Sequence, residues 1–453
     1  MTSAHDSGYY EGLNEKLYAA IPADARDALE LGCANGRLGE ACKRRSPALR
    51  WTGVDVSGAA LAKASQRLDH VVRMDLDAPV AAQLAGGYDL VVFGDLLEHL
   101  HDPAALLQLA HDVSAPGARL VCCVPNMAHV SIVERMLAGD LSYDAAGLLD
   151  ATHLRFLSPA STFKLLLDAG WLPHLRDTYV VGHPNPVFVE HLASAGAALG
   201  IARDTVLRNI RGYQLIIDCI KAPAPRLPTE RAPFSVVVAV NRPNQFEINL
   251  RRSPGLAEVG ADIVPIEGAR NAAEALAAGR ARAQHPWLVY CHQDVYVPRG
   301  SGHAIAALLG AVPQTQARET LIGFAGLDRA GSAGPAYTGL VIDRMARFDY
   351  PASSHAVSLD ELAIAVSRDS VHEIDPAFGW HIWATDLALA AVHRRGTAPA
   401  RVVRIPLFHN SYGDFSLPPA FHDSVRVLND KYRELGAIPT LNGIFGGAPG
   451  ARP

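Results

Sequence analysis

Three stretches of this 453-residue chain gather side chains able to hold or move charge. The first is Asp27-Ala-Leu-Glu-Leu-Gly-Cys-Ala-Asn-Gly36, an apolar strand pattern that carries Glu30 near its end and runs into a turn. Gly32 and Gly36 let the backbone of that turn approach a ligand with no Cβ between. Asp55 closes the next apolar run, Trp51-Thr-Gly-Val-Asp55. A glycine turn after one strand and a carboxylate after the next form a nucleoside site at the switch point of a doubly wound sheet, the carboxylate accepting both ribose hydroxyls. A dinucleotide fingerprint starting at Gly32 needs glycines at 34 and 37, where Ala34 and Arg37 stand. Glu30 ahead of the turn suits a cationic ligand better than a pyrophosphate. Asp75, after Val71-Val-Arg-Met74, ends a third strand pattern and is placed to meet the nucleoside base.

The second stretch is Asp95-Leu-Leu-Glu98-His99, past the apolar run Tyr88-Asp-Leu-Val-Val-Phe93. His99, His129 and His153 each fall in a loop beyond a strand end and are candidate general bases, although histidines in such places often serve only to cap or satisfy a loop. His99 or His153 is the expected base. The third stretch, His292-Gln-Asp294, follows the buried strand pattern Trp287-Leu-Val-Tyr-Cys291. A carboxylate and an imidazole either side of one residue suit a hard divalent cation bridging a diphosphate, or simply a helix cap.

The elements that must position these groups are legible from periodicity. Strand patterns at 28–31, 51–55, 70–74, 88–93, 118–124, 177–181 and 213–220 alternate with helical ones at 37–44, 58–67, 103–113 and 159–169, which predicts a largely parallel sheet with helices on both faces. Residues 185–208 read as an inserted helical segment. Four prolines in Ala222–Pro233 make a stiff connector. After it, strands at 234–240, 261–266 and 287–291 with a helix at 272–283 give a second α/β pattern. The chain is thus expected to hold one domain over 1–221, a linker over 222–233, a second domain over 234–437 and a flexible tail over 438–453.

Glu30-Leu-Gly-Cys-Ala-Asn-Gly36 resembles the first motif of class I S-adenosyl-L-methionine-dependent methyltransferases, whose fold is Rossmann-like. The resemblance makes Glu30, Gly32, Gly36, Asp55, Asp75 and Asp95 the cofactor-binding residues. Tyr88–Pro103 resembles the fourth-strand motif of these enzymes, and Pro125-Asn126, Gly147-Leu-Leu-Asp150 and Thr152-His-Leu-Arg-Phe156 are similar to a branch that includes ubiquinone-biosynthesis-type O-methyltransferases, in which a loop like 95–99 is associated with a divalent ion. Downstream, His292-Gln-Asp294, Asp360-Glu361, Thr385-Asp386-Leu387 and His409-Asn-Ser411 resemble, in that order, a family-two glycosyltransferase-like domain of the streptomycin-biosynthesis type, with a GT-A (nucleotide-diphospho-sugar transferase) α/β fold. That resemblance implies Mn²⁺ or Mg²⁺ held by Asp294, His292 and His409, Asp386 as the base that deprotonates an acceptor, and Trp380 and Trp383 as sugar-stacking residues. Two departures stand out. His292 replaces a carboxylate, and Pro265-Ile-Glu-Gly-Ala269 replaces the usual nucleotide-binding Asp-Asp-Gly-Ser.

The implied protein is bifunctional. It O-methylates a sugar hydroxyl and transfers sugar from a nucleotide-sugar donor to a glycan or lipid-linked glycan acceptor in surface polysaccharide or glycoconjugate synthesis. The alternative is an O-methyltransferase whose C-terminal half is an inactive glycan-binding module. A net charge of −5 speaks against nucleic acid as the main partner. No basic n-region with an apolar run and no bilayer-length apolar stretch is present, so the expected location is the cytoplasm, with lipid-linked acceptors drawing the protein to the inner membrane face. The six cysteines lack metal-type spacing and read as reduced core residues.

Overall fold

A computed structural model describes residues 12–223, 230–331, 334–413 and 416–445. The chain divides into two compact units, one running to Ala224 and including 412–414, the other comprising the rest. The passage from one to the other falls inside the proline-rich run, whose residues 224–229 lie outside those described.

The first unit is built on a seven-stranded sheet: β1 (Asp27–Leu31), β2 (Arg50–Asp55), β3 (His70–Arg73), β4 (Tyr88–Gly94), β5 (Ser114–Pro125), β6 (Trp171–Val180) and β7 (Gly212–Lys221). Their order is β3-β2-β1-β4-β5-β7-β6, and β7 runs antiparallel to both of its neighbours. Strands leave in opposite directions from the β1–β4 pair, which is a topological switch point. The register sets Leu31 opposite both Val54 and Phe93, so the residues after β1, β2 and β4 emerge along one edge. The helices are α1 (Glu15–Ala20), α2 (Arg37–Arg45), α3 (Gly58–Ala64), α4 (Pro103–Val113), α5 (Val130–Ala138), α6 (Pro159–Asp168), α7 (Pro186–Ala198) and α8 (Arg203–Arg211). Local chemistry explains several starts: Asp102 caps α4 ahead of Pro103, and Ser158 with Ser161 forms a reciprocal capping box on α6. Periodicity missed α1, which is short, and α5, whose Val-Ser-Ile-Val opening favours a strand. β6 begins at Trp171, ahead of the expected 177.

The second unit centres on a twelve-stranded sheet. Its strands are β8 (Phe234–Val240), β9 (Asp262–Glu267), β10 (Trp287–Cys291), β11 (Val295–Tyr296), β12 (Leu321–Gly323), β13 (Ala325–Gly331), β14 (Gly334–Asp343), β15 (Ala346–Tyr350), β16 (Ser353–Leu359), β17 (Ala363–Ser367), β18 (Ala400–Val402) and β19 (Leu407–His409). β8 pairs in parallel with β9 and β10, and β17 then runs antiparallel to β10. The helices are α9 (Pro243–Ile248), α10 (Pro254–Glu258), α11 (Ala272–Arg282), α12 (Ser301–Gly310), α13 (Trp383–His393) and α14 (Pro419–Lys431). Alternate residues of β8 enter different cores: Val237 packs with α11 and α13 residues, Val236 and Val238 with residues of α12. The strand is therefore covered on both faces, as its unbroken apolar run requires.

The expected flexible tail is corrected for its described part. Residues 438–445 form a hairpin, β20 (Ile438–Thr440) with β21 (Gly443–Phe445). Ile438 is buried in the core that holds α13 and α14, and the Phe445 ring meets Phe421 edge-on at 5.8 Å. Glycine and proline content suggested a loop, but two apolar side chains are enough to seat it.

Candidate functional site

In the first unit, the turn after β1 needs left-handed backbone three times, at Gly32 (φ 79°), Ala34 (φ 47°) and Gly36 (φ 78°). Gly32 and Cys33 donate their N–H groups to the Val54 carbonyl at 2.8 and 3.0 Å, which folds the turn over the end of β2. Asp55 completes the clamp. Its Oδ2 accepts the Ala34 N–H at 2.9 Å and its Oδ1 the Ser57 N–H at 2.8 Å. A carboxylate has about four lone-pair sites, so both oxygens keep capacity toward a ligand's hydroxyls. A Cβ on Gly36 would lie 3.0 Å from Leu68 Cγ, and one on Gly32 3.1 Å from Leu96 Cδ1. The second contact also brings the loop after β4 against the turn.

Glu30 lies buried in β1 and accepts the Trp51 indole N–H at 2.8 Å. Burial pushes its carboxyl up to about 8; the indole bond opposes the shift and Asp55 adds to it. Near pH 7 it is thus held as the neutral acid, and a cation placed beside it would favour its ionised form. Asp75 is exposed beyond β3 and accepts the Asp77 N–H at 3.0 Å. Asp95 takes a left-handed conformation (φ 49°) and accepts from Gln214 Nε2 at 2.7 Å and from Cys123 Sγ at 3.2 Å, while burial raises its carboxyl.

Glu98, His99 and His153 come together, with ligand-type atoms all within 4.8 Å of one another. The two imidazoles meet edge to face at 4.9 Å. His153 Nδ1 sits 3.0 Å from the Leu148 carbonyl, which can only accept, so Nδ1 carries the proton and Nε2 the lone pair. His99 Nδ1 lies 3.2 Å from the Thr152 carbonyl and 3.0 Å from Thr152 Oγ1, whose own proton goes to Asp150 at 2.6 Å. Both histidines are therefore held in the same tautomer, with Nε2 basic. Glu98 is buried, its carboxyl raised well above the ordinary value by that burial and then by Asp95, and its Oε2 has no hydrogen-bond partner among the described residues. Sequence reading grouped Asp95 with Glu98 and His99; the structure puts His153 in that place. His129 instead caps α5 and meets the Tyr213 ring edge to face at 5.2 Å, a structural role.

In the second unit, His292, Asp294 and His409 converge, again with candidate ligand atoms within 4.8 Å. The Val295–His409 register of β11 and β19, and the Asn410 N–H bonded to the Asp294 carbonyl at 2.9 Å, fix the two segments. His409 Nε2 lies 3.4 Å from Asp294 Oδ1 and its Nδ1 2.9 Å from Asp343 Oδ1. Burial alone would lower the His409 imidazole, but Asp294 and Asp343 outweigh it and lift it to about 10. Burial would likewise raise Asp294, yet the His409 charge holds it well below the usual carboxylate range. His292 is lowered by burial, although its side chain reaches the surface.

Asp386 does not join this cluster. It is buried in the first turn of α13, where Tyr432 Oη donates to it at 2.8 Å and Lys431 Nζ lies 2.9 Å away. Lys431 also pairs with Asp375 at 2.7 Å. The expected acceptor base is thus already engaged as an anchor between α13 and α14. Of the two tryptophans, Trp380 is 41% exposed and Trp383 only 5%, so Trp383 is core. Glu361 was quoted from the sequence without a role. Burial pushes it up to about 8, Asp360 adds to the shift, and the N–H groups of Ile382 and Ala384 oppose it. Asp343 was missed outright, because only the β14–β19 pairing brings it opposite His409.

Residues 9–172 match the family model described as a methyltransferase domain. The chain is 30% identical over 190 residues to a ubiquinone biosynthesis O-methyltransferase of Psychrobacter arcticus, covering 40% of this chain and 70% of that protein. It is 33% identical over 152 residues to the protein of the same name from Pseudomonas paraeruginosa, covering 32% of this chain and 64% of that one. A solved S-adenosylmethionine-dependent methyltransferase of Archaeoglobus fulgidus aligns over 47% of this chain and 96% of its own, at 18% identity and a TM-score of 0.33. The family match lies within the first unit. The family model and the Psychrobacter arcticus relative, with the glycine turn, the Asp55 clamp and the switch-point sheet already in place, show that this chain belongs, through its first unit, to the class I S-adenosylmethionine-dependent methyltransferases.

Proposed function

We propose that the first unit transfers a methyl group to a hydroxyl oxygen, using the Gly32–Gly36 turn, Glu30, Asp55 and Asp75 to hold the cofactor and His99 or His153 to take the acceptor's proton. S-Adenosylmethionine, when bound, supplies a methyl group on positively charged sulfur. Glu30 and the turn face the cationic amino-acid end, Asp55 the ribose and Asp75 the adenine. The carrying observation is the pair of imidazoles with basic Nε2 atoms, one loop away from the glycine turn. The same three groups fit a divalent cation, since the partnerless Glu98 Oε2 is the oxygen such an ion would satisfy. The relatives' names point to oxygen as the methylated atom.

For the second unit the reading is a metal-dependent sugar transferase, with His292, Asp294 and His409 as ligands for Mn²⁺ or Mg²⁺. The whole chain then acts on a glycan or lipid-linked glycan acceptor, in the cytoplasm or at the inner membrane face. Support comes from the convergence of the three ligands at strand ends. A second reading has specific support too. Asp386 is tied to Lys431 and Tyr432, and exposed Tyr143 and Phe156 flank the methyl-acceptor loops. Those facts favour a small aromatic alcohol as methyl acceptor and a second unit that binds glycan without turnover.

One set of assays on the full chain separates them. Methyl transfer is followed with a panel of phenolic and sugar acceptors, in wild type, His99→Ala and His153→Ala. Loss of at least about a hundredfold in kcat/KM in one histidine variant is expected for a general base. A few-fold effect in both would remove the base assignment. Nucleotide-sugar turnover that needs added metal supports the bifunctional reading; its absence across the panel leaves the second reading.

A further inference from the structure

The metal group of the second unit has a feature that its three ligands alone do not explain. His409 is the last residue of β19 and Asp343 the last of β14, and the parallel register sets the two side by side. The Arg344 N–H, in a left-handed residue (φ 55°), bonds the His409 carbonyl at 2.8 Å and locks that corner. Asp343 Oδ1 then lies 2.9 Å from His409 Nδ1. A carboxylate accepts only, so this contact keeps a proton on Nδ1 and leaves Nε2, which faces Asp294 at 3.4 Å, as the nitrogen that gives up its proton to an ion bound there. Carboxylate–histidine pairs of this kind orient metal-bound imidazoles and raise their basicity.

The donor set is the second consideration. Two imidazole nitrogens and one carboxylate, with His292 at the surface, leave coordination positions open to solvent or ligand oxygens. Mg²⁺ and Ca²⁺ take oxygen ligands almost exclusively, whereas Co²⁺, Ni²⁺ and Zn²⁺ bind imidazole readily. The replacement of a carboxylate by His292 shifts the set in the same direction.

We propose that His292, Asp294 and His409 form a first-row transition-metal site that discriminates against Mg²⁺, and that Asp343 is the positioning residue that aims His409 at the ion. The proposal rests on the metal reading of the second unit and specifies which ions it takes and which residue outside the ligand set holds it in shape.

The probe is Co²⁺, whose visible bands report nitrogen ligation. It is titrated into chelator-treated full-length chain: wild type, the double variant His292→Ala/His409→Ala, Asp343→Asn and Asp343→Glu. Binding lost in the double variant defines the second-unit component, separate from any at Glu98. That component is expected to weaken about 10–100-fold in Asp343→Asn, with its stoichiometry kept, and to recover in part in Asp343→Glu. Zn²⁺ should displace the Co²⁺, and millimolar Mg²⁺ should not. If the double variant binds like wild type, the metal reading fails and the inference with it. If the component exists but Asp343→Asn leaves it unchanged, Asp343 has no positioning role and the metal reading stands. Displacement by Mg²⁺ at concentrations comparable to Zn²⁺ would overturn the selectivity. Should Asp343→Asn not melt cooperatively, Asp343→Glu carries the test: binding weakened relative to wild type with the stoichiometry kept supports the proposal, and binding equal to wild type contradicts the positioning role.

Discussion

Glu30 shows how a buried carboxyl costs the folded protein stability. Its carboxyl is shifted from 4.5 to about 8, chiefly by burial. Between those values the folded chain holds a proton that the unfolded chain has released, so stability falls as pH rises through that window and the cost is complete above pH 8. Glu30→Gln keeps an acceptor for the Trp51 indole and removes the ionisation. It is expected to be more stable than wild type above pH 8, by up to a few kcal/mol, and equal to it near pH 4. If Glu30 ionises to meet the cofactor's cation, the same variant binds S-adenosylmethionine about tenfold or more weakly, and cofactor binding to wild type releases a proton near pH 7. Melting curves against pH, with titration calorimetry in buffers of different ionisation heat, check both. Equal affinity in the variant would leave Glu30 a purely structural acid. Its place before a glycine turn was readable in the sequence, but its burial against Trp51 was not. Strand alternation says which face a residue takes, not which aromatic ring β2 will bring beside it. The same limit hid Asp343 and misjudged Asp386, whose neighbours come from strands and helices distant in sequence.

At the scale of elements, two contacts carry definite consequences. α11 lies so close to β8 that a Cβ on Gly279 would fall 2.0 Å from Val237 Cγ1. Gly279→Ala must push the helix or the strand aside, and overpacking of this kind costs about 1–3 kcal/mol, more than alanine's helix propensity returns. A melting temperature equal to or above wild type would show that the helix shifts freely. The second contact is the Asp386–Lys431–Tyr432 group between α13 and α14. Asp386→Asn leaves Lys431 with Asp375 alone, so a loss of about 2–4 kcal/mol is expected, somewhat below that for wholly breaking a buried pair. Chemical denaturation measures it, and a loss under about 0.5 kcal/mol would contradict an anchoring role. Elements with a clear period were legible: β1, β2, β4 and α4 fall within a residue or so of their expected bounds. Those between 321 and 402 were not, because strands such as β12 and β18 span three residues each and pair with partners distant in sequence. α5 was hidden by its β-branched start and is secured by the His129 cap and by Gly139 in left-handed conformation at its end.

For the whole molecule, proline density marked the passage between units, since a run that neither donates backbone hydrogen bonds nor buries large side chains is a poor core element. Among the described residues no helix is long and apolar enough to cross a membrane. The six cysteines are free and buried, with no disulfide among the described residues. S-Adenosylmethionine binding is proposed at the turn between β1 and α2, with Asp55 at the end of β2 as a ligand carboxylate. It is tested most directly by calorimetric titration of S-adenosylmethionine into the full-length chain, wild type beside Asp55→Asn. Wild type is expected to bind one equivalent, and Asp55→Asn to bind at least tenfold more weakly with the fold retained. No binding to wild type, or equal binding to both proteins, would contradict it.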